Sequence, residues 1–100
     1  MNSIIQKNKE CYVCKTTYNL HLHHIFFGNA NRKISDKNGF VVYLCQYHHE
    51  GTFGVHGKNG NELNLLLKRT CQRKYEMDHT RDEFIKLIGR SYLWHKNKWY

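Results

Sequence analysis

The sequence predicts an α+β fold with two strands in its first half and helices in its second half. Residues 20–27 (LHLHHIFF) and 40–45 (FVVYLC) are short apolar runs rich in β-branched and aromatic residues, which is typical of strands. Between them, residues 28–39 (GNANRKISDKNG) have the Gly, Asn, Ser and Asp content of a connecting loop. Residues 46–50 (QYHHE) predict a helical turn, and the four glycines of residues 51–60 (GTFGVHGKNG) predict a second loop.

A helical extension is predicted over residues 61–89. Thr80 and Glu83 have the spacing of a capping box ahead of a second helix, and Gly89 is a natural stop. The first helix of the extension is indicated by residues that recur every fourth position after a possible cap at Asn61, namely Leu63, Leu67, Cys71 and Tyr75.

A chain of 100 residues forms one small domain, residues 1–100, whose core alone gives little stability, so we expect an additional cross-link. The chain starts MNSIIQKNKE and contains no apolar segment that could export it, which favours the cytoplasm. In that reducing compartment, closely spaced cysteines more often bind a metal than form a disulfide. No apolar run approaches the roughly 20 residues of a membrane span, so no membrane partner is expected.

Two short motifs together provide a full set of zinc ligands. Cys11 and Cys14 form C-x-x-C, and Cys45 and His48 form C-x-x-H. Structural zinc sites take four nitrogen or sulfur ligands in a tetrahedron. The spacing therefore predicts a structural Zn²⁺ held by three cysteines and one histidine. Cys71 has no paired ligand and is expected to pack in the core.

Further histidines suggest a second, catalytic site. Neighbouring strand residues point to opposite faces, so if His23 turns to a metal ion, His24 turns away and stays a free imidazole. The ordinary pKa of histidine, about 6.5, suits a general base at neutral pH. His49 and His56 can complete a three-histidine site. His21 is either a half-buried strand residue, the favoured reading, or a partner that orients a neighbouring ligand.

The formal net charge of +8, from 16 Lys and Arg against 8 Asp and Glu, favours nucleic acid as a partner. Simple solubility is the alternative explanation for this charge. Residues 90–100 (RSYLWHKNKWY) form a basic aromatic tail whose rings can stack on bases or pack against the helices. The residues expected to contact nucleic acid are Arg32 and Lys33 in the predicted loop and Lys68, Arg69, Arg73 and Lys74 on the predicted helix.

The order of these motifs resembles the HNH, or ββα-metal, nucleases, in particular the short HNH-like proteins of bacteriophages. CYVC, HHI, YLC and YHH reproduce the zinc knuckle, the histidine pair ending one strand, the Leu-Cys ending the next, and the closing ligand beside a metal-binding histidine. GVH is similar to the final histidine of the family. The resemblance covers residues 11–56 and implies a small zinc-stapled ββα-metal core there, followed by C-terminal helices.

Carried onto this sequence, the resemblance implies distinct roles for the candidate residues. The family's central asparagine has its nearest counterpart in Asn38, expected to orient the base, and Phe53 occupies the usual position of the last histidine, so a loop must deliver His56. Imidazole ligands accept Zn²⁺, Ni²⁺ or Fe²⁺ more readily than Mg²⁺, which leaves the identity of the catalytic divalent ion open. The implied structural zinc ligands are Cys11, Cys14, Cys45 and His48, the implied catalytic-metal ligands are His23, His49 and His56, and the implied base is His24.

The implied function is metal-dependent endonuclease activity on nucleic-acid phosphodiester bonds, with DNA as the expected substrate. By resemblance, the products carry 5′-phosphate and 3′-hydroxyl ends. Two alternatives belong to other classes: a zinc-stapled nucleic-acid-binding module without activity, and a phage-encoded interaction or inhibitor module that has lost catalysis. About two metal ions per chain would favour the enzyme, and about one would favour either alternative.

Overall fold

The computed structural model describes residues 2–93, which form a two-stranded sheet and four helices and confirm the predicted α+β class. Residues 94–100, which include both tryptophans of the predicted tail, lie outside the described residues. None of the described helices has the length and apolar character of a membrane span. In chain order the elements are β1 (Leu20–His24), α1 (Asn29–Asn38), β2 (Val41–Cys45), α2 (Gln46–Glu50), α3 (Asn61–Tyr75) and α4 (Arg81–Ile88).

The two predicted strands pair antiparallel, with Leu20 opposite Cys45 and His24 opposite Val41, but β1 ends at His24 and residues 25–27 of the predicted strand lie outside it. β2 is almost entirely buried, and the N-terminal segment covers its other edge. There the backbone N–H of Tyr12 donates to the Tyr43 carbonyl at 2.9 Å, and the Gln6 side chain accepts from the Tyr43 N–H at 2.7 Å. The sheet is therefore a fixed platform for the histidines of β1.

The prediction of a loop over residues 28–39 is wrong, because this segment forms α1. Its glycines mark helix boundaries instead: Gly28 precedes the first turn at φ 99°, and Gly39 ends the helix in the left-handed region at φ 76°. The buried Ser35 hydroxyl donates to the Phe26 carbonyl at 2.7 Å and accepts from the Phe26 N–H at 3.2 Å. These two bonds attach α1 to the chain that leaves β1.

The predicted helical extension is present as α3 and α4. Leu67 and Cys71 are fully buried, as the periodicity predicts, although Gly60 and not Asn61 occupies the cap position of α3. The capping box of Thr80 and Glu83 at the start of α4 is confirmed, with Glu83 N–H donating to the Thr80 hydroxyl and Thr80 N–H donating to the Glu83 carboxylate. Gly89 ends α4 at φ 106°.

The core lies between the sheet, α1 and the two C-terminal helices. Its centre is a group of aromatic rings in edge-to-face contact, with Phe26 5.5 Å from both Phe40 and Phe84 and Tyr75 5.6 Å from Phe40. Cys71 packs against this group, and burial raises the pKa of its thiol, so it remains a neutral core residue.

Candidate functional site

Four side chains from two distant parts of the chain form a cysteine cluster: Cys11, Cys14, Cys45 and His48. Their ligand atoms all lie within 4.8 Å of one another. The Sγ atoms of Cys14 and Cys45 are 3.8 Å apart, and His48 Nδ1 lies 3.2 Å from Cys45 Sγ and 3.6 Å from Cys11 Sγ. A tetrahedron with metal–sulfur bonds of about 2.3 Å has edges of about 3.8 Å. The cluster can therefore hold a metal ion, as the two motifs predict.

The local backbone folds the first cysteine pair into a tight turn and favours the thiolate of Cys11. A backbone hydrogen bond from Thr16 lowers the pKa of the Cys14 thiol, but desolvation and its sulfur neighbours Cys11 and Cys45 raise it more. Cys11 N–H donates to the Thr16 carbonyl at 2.8 Å and Lys15 N–H donates to the Cys11 carbonyl at 2.9 Å, which closes a tight turn around the first cysteine pair. Burial raises the pKa of the Cys11 thiol, but backbone hydrogen bonds from Cys14, Cys45 and Val13 lower it more, to about 6. Thiolate is the form of cysteine that binds metals.

Three imidazoles form a second group, the histidine cluster: His23 from β1, His49 from α2 and His56 from the glycine-rich loop. Their ring centroids are 5.3 Å (His23 and His49), 5.2 Å (His23 and His56) and 4.7 Å (His49 and His56) apart. His23 is only 2% exposed, and its buried Nε2 has no hydrogen-bond partner among the described residues. A buried nitrogen without a partner costs stability unless something binds it. The donor set and the unpaired nitrogen fit a divalent metal ion.

The glycine-rich loop, residues 51–60, brings His56 back to α2 by a series of tight turns. Every third residue is a glycine, and each of the later three donates its N–H to the carbonyl of the preceding one, at 2.9, 2.8 and 3.2 Å. A Cβ at Gly57 would collide with the Gly51 carbonyl, so the turns need glycine. Val55 and His56 donate to the carbonyls of His48 and His49 at 3.0 and 2.8 Å. A loop thus delivers His56 to the histidine cluster.

Burial keeps two imidazoles of the histidine cluster, His23 and His49, neutral. Burial, followed by the nearby His56 and His49, lowers the pKa of His23 to about 3. Burial, followed by the nearby His56 and His21, also lowers the pKa of His49. Neutral imidazole is the form that binds metal ions. His23 and His49 are therefore in their ligand form at neutral pH.

His21 has a closer role than a plain strand residue. Its Nδ1 lies 2.9 Å from Nδ1 of His49, with the two rings nearly perpendicular. One of these nitrogens must donate and the other accept, so the contact fixes the orientation of His49. The structure favours the second of the two readings of His21, as a partner that orients a metal ligand. His21, His49 and Glu50 also have ligand atoms within 4.8 Å of one another.

His24 is paired with a carboxylate and is not one of the three clustered imidazoles, although it lines a small cavity together with them. Its Nε2 lies 3.4 Å from the Asp36 carboxylate on α1, and its side chain is 16% exposed. Asn38, the predicted orienting residue, donates its side-chain N–H to the Ile34 carbonyl at 2.8 Å. The sequence predicts a loop over residues 28–39, and a loop gives no reason to single out Asp36. A helical interpretation would have placed Arg32 and Asp36 on one face, since they are four residues apart.

The basic residues predicted to bind nucleic acid divide into two groups. Arg32 and Lys33 line a surface groove of about 1260 Å³ beside α1, together with His24 and Phe27. Arg32 also lines a smaller cavity of about 230 Å³ that opens onto the histidine cluster.

The α3 residues differ in position and exposure: Lys68 lies beside Phe27, which lines both cavities, and Arg73 and Lys74 line neither. Arg69 Nε donates to the Tyr92 carbonyl at 3.2 Å, and Lys68 Nζ lies 4.9 Å from the Tyr92 ring centroid. Burial, followed by the charge of Arg90, lowers the pKa of Lys68. Arg73 and Lys74 are exposed on the last turn of α3.

Comparisons with protein-family models, with curated proteins and with solved structures find no match to this chain. The functional conclusion therefore depends on the residues themselves. They define two neighbouring clusters able to hold metal ions, linked by the consecutive residues His48 and His49 of α2.

Proposed function

We propose that this chain is a metal-dependent endonuclease of the HNH, or ββα-metal, type that hydrolyses phosphodiester bonds, with DNA as the expected substrate. The observation that carries the proposal is the convergence of His23, His49 and His56 next to a fourth imidazole, His24, that has a separate partner. A module that only binds nucleic acid has no use for a buried, unpaired ligand nitrogen or for a second set of metal ligands.

The two clusters have different proposed roles. The cysteine cluster would hold a structural Zn²⁺, because three thiolates and one imidazole form a closed tetrahedral ligand set. The histidine cluster offers three ligands and would hold the catalytic divalent ion. When bound, that ion would supply positive charge to the phosphate and to the departing 3′ oxygen. A reducing cytoplasm suits this assignment, since it keeps the thiols free.

His24 is the proposed general base. If its Nε2–H donates to the Asp36 carboxylate, its Nδ1 is unprotonated and can take a proton from the attacking water. Asp36 thereby performs the orienting role that the family resemblance assigned to Asn38. Arg32 lines the small cavity that His24 and the histidine cluster also line, and it can contact the phosphate backbone of the substrate. Hydrolysis in this arrangement would leave 5′-phosphate and 3′-hydroxyl ends.

Plasmid cleavage combined with metal analysis tests the proposal. The purified chain is expected to contain about two metal ions and to nick supercoiled DNA in the presence of at least one of Zn²⁺, Ni²⁺, Mn²⁺ or Mg²⁺. His24→Ala, purified identically, controls for contaminating nucleases and should cleave at least about a hundredfold more slowly. His79→Ala removes an exposed imidazole outside both clusters and should cleave normally. One ion per chain with no cleavage of plasmid, single-stranded DNA or RNA would instead favour a binding or interaction module.

A further inference from the structure

Phe27 lies where the histidine cavity meets the groove beside α1. Its side chain lines both, and the residue is 42% exposed. The ring centroid is 5.3 Å from that of His56 and 6.0 Å from that of His23. A large apolar ring is therefore exposed directly beside the proposed catalytic cluster.

Neighbouring elements hold this ring in place and leave room next to it. Lys68 Nζ from α3 lies 4.8 Å from the Phe27 centroid, a cation–π contact that fixes the ring. Gly28 follows with φ 99°, and a Cβ built there would meet nothing within 4 Å. The surface at Gly28 is therefore open, and the 42% exposure of Phe27 leaves part of its ring accessible to a flat group.

Positively charged side chains line the groove next to Phe27. Arg32 lines both cavities with Phe27, and Lys33 lines the groove, while Asp36 is paired with His24. Cationic side chains combined with an exposed aromatic ring are the features of sites for single-stranded nucleic acid. The cations contact phosphates and the ring stacks on a base. A base inside a duplex already stacks on its neighbours and presents no free face to a side chain.

We propose that Phe27 is a stacking platform for an unpaired nucleobase next to the scissile phosphate. The preferred substrate is then single-stranded or locally unpaired nucleic acid. This inference depends on the proposed action on nucleic acid, but it concerns the kind of substrate and can be tested without cleavage. Failure of cleavage and failure of stacking are therefore separate results.

Equilibrium binding distinguishes stacking from simple charge attraction. The probes are a fluorescein-labelled oligothymidylate and a duplex of equal length, and the protein is loaded with zinc. Phe27→Leu keeps an apolar side chain beneath Lys68 but removes the aromatic face. We expect it to weaken single-strand binding by about tenfold or more and to leave duplex binding within about twofold. Phe27→Tyr keeps the ring and should bind like the parent.

Phe53 provides a matched control, because it is 57% exposed in the glycine-rich loop and lines neither cavity. Phe53→Leu should leave single-strand binding unchanged. A 2-aminopurine placed in the oligonucleotide should lose fluorescence on binding to the parent but not to Phe27→Leu. The proposal is overturned if Phe27→Leu weakens binding of the single strand and of the duplex equally, or weakens neither. It is also overturned if Phe27→Tyr binds the single strand as weakly as Phe27→Leu, or if Phe53→Leu weakens single-strand binding to the same extent.

Discussion

At the residue scale, β1 has three histidines within four consecutive positions, and each of them has a different set of partners. His21 and His23 are two residues apart on one face of the strand, and both contact His49. His24, the last residue of β1, lines the small cavity with His23 but contacts Asp36 on α1. Because the partners differ, substitutions of these adjacent residues should have different consequences.

The first prediction concerns His23 and His24. His24→Ala should keep both metals and the fold but lose about two to four orders of magnitude in cleavage rate, the usual contribution of a general base. His23→Ala should lose the ion of the histidine cluster and keep that of the cysteine cluster, since it removes a ligand from one site only. Cleavage rate and metal content measured for both variants check the assignment. Cleavage at the parental rate by His24→Ala would show that the base is another group.

The second prediction concerns His21, whose Nδ1 contacts Nδ1 of His49 at 2.9 Å. His21→Ala should weaken metal binding by the histidine cluster by about 10-fold to 100-fold, because partners that orient a ligating histidine typically contribute that much. The cysteine cluster should retain its metal. Competition with a chromophoric chelator measures both affinities. His79→Ala, which removes a histidine outside the clusters, is the control, and parental affinity in His21→Ala would exclude an orienting role.

The candidate metal ligands could be predicted from the sequence, but the side chains that contact and orient them could not. C-x-x-C and C-x-x-H spacing is local, so it identifies Cys11, Cys14, Cys45 and His48 without knowledge of the fold. The contact of His21 with His49 joins residues 28 positions apart on different elements. Such a contact depends on how α2 packs on β1, which composition and periodicity do not determine.

At the element scale, α1 shows how a helix can resemble a loop in sequence. Its boundary glycines and its Asn, Ser and Asp residues are also typical of turns. What stabilises the helix is tertiary, because the buried Ser35 hydroxyl bonds both backbone groups of Phe26. The ends of α4 were predicted correctly because the capping box and Gly89 are local signals with a specific spacing.

The third prediction follows from Ser35, which is fully buried. Ser35→Ala leaves the N–H and carbonyl of Phe26 without their partner, so the free energy of unfolding should fall by about 1–3 kcal/mol. Chemical denaturation followed by circular dichroism measures this change. Thr17→Ala removes an exposed hydroxyl and should change stability by less than about 0.5 kcal/mol. Equal stability of Ser35→Ala and the parent would mean that α1 is held by other contacts.

At the scale of the whole molecule, the cysteine cluster joins the N-terminal knuckle to the end of β2 and the start of α2. The fourth prediction is that Cys11→Ser or Cys45→Ser loses the proposed zinc and the cooperative thermal transition, because the core of so small a domain gives little stability without an additional cross-link. Excess chelator should have the same effect on the parent. Cys71→Ala also removes a cysteine, but from the core, and should keep a full metal content. A zinc-free chain that still unfolds cooperatively at the parental temperature would contradict the prediction.

The fifth prediction concerns the surface that binds nucleic acid. The net charge of +8 can attract nucleic acid to the chain in general, but substitutions are needed to find which residues contact it. Arg32 and Lys33 line the groove that leads to the histidine cavity, so each should contribute one phosphate contact. Arg32→Ala and Lys33→Ala should each reduce the slope of log affinity against log salt concentration by about one unit. Arg73→Ala and Lys74→Ala provide the comparison, because these exposed residues line neither cavity. If the slope is smaller in all four variants, the nucleic-acid-binding surface also includes α3, as the sequence predicts. If the slope is unchanged in Arg32→Ala and Lys33→Ala, the groove is not part of the binding surface.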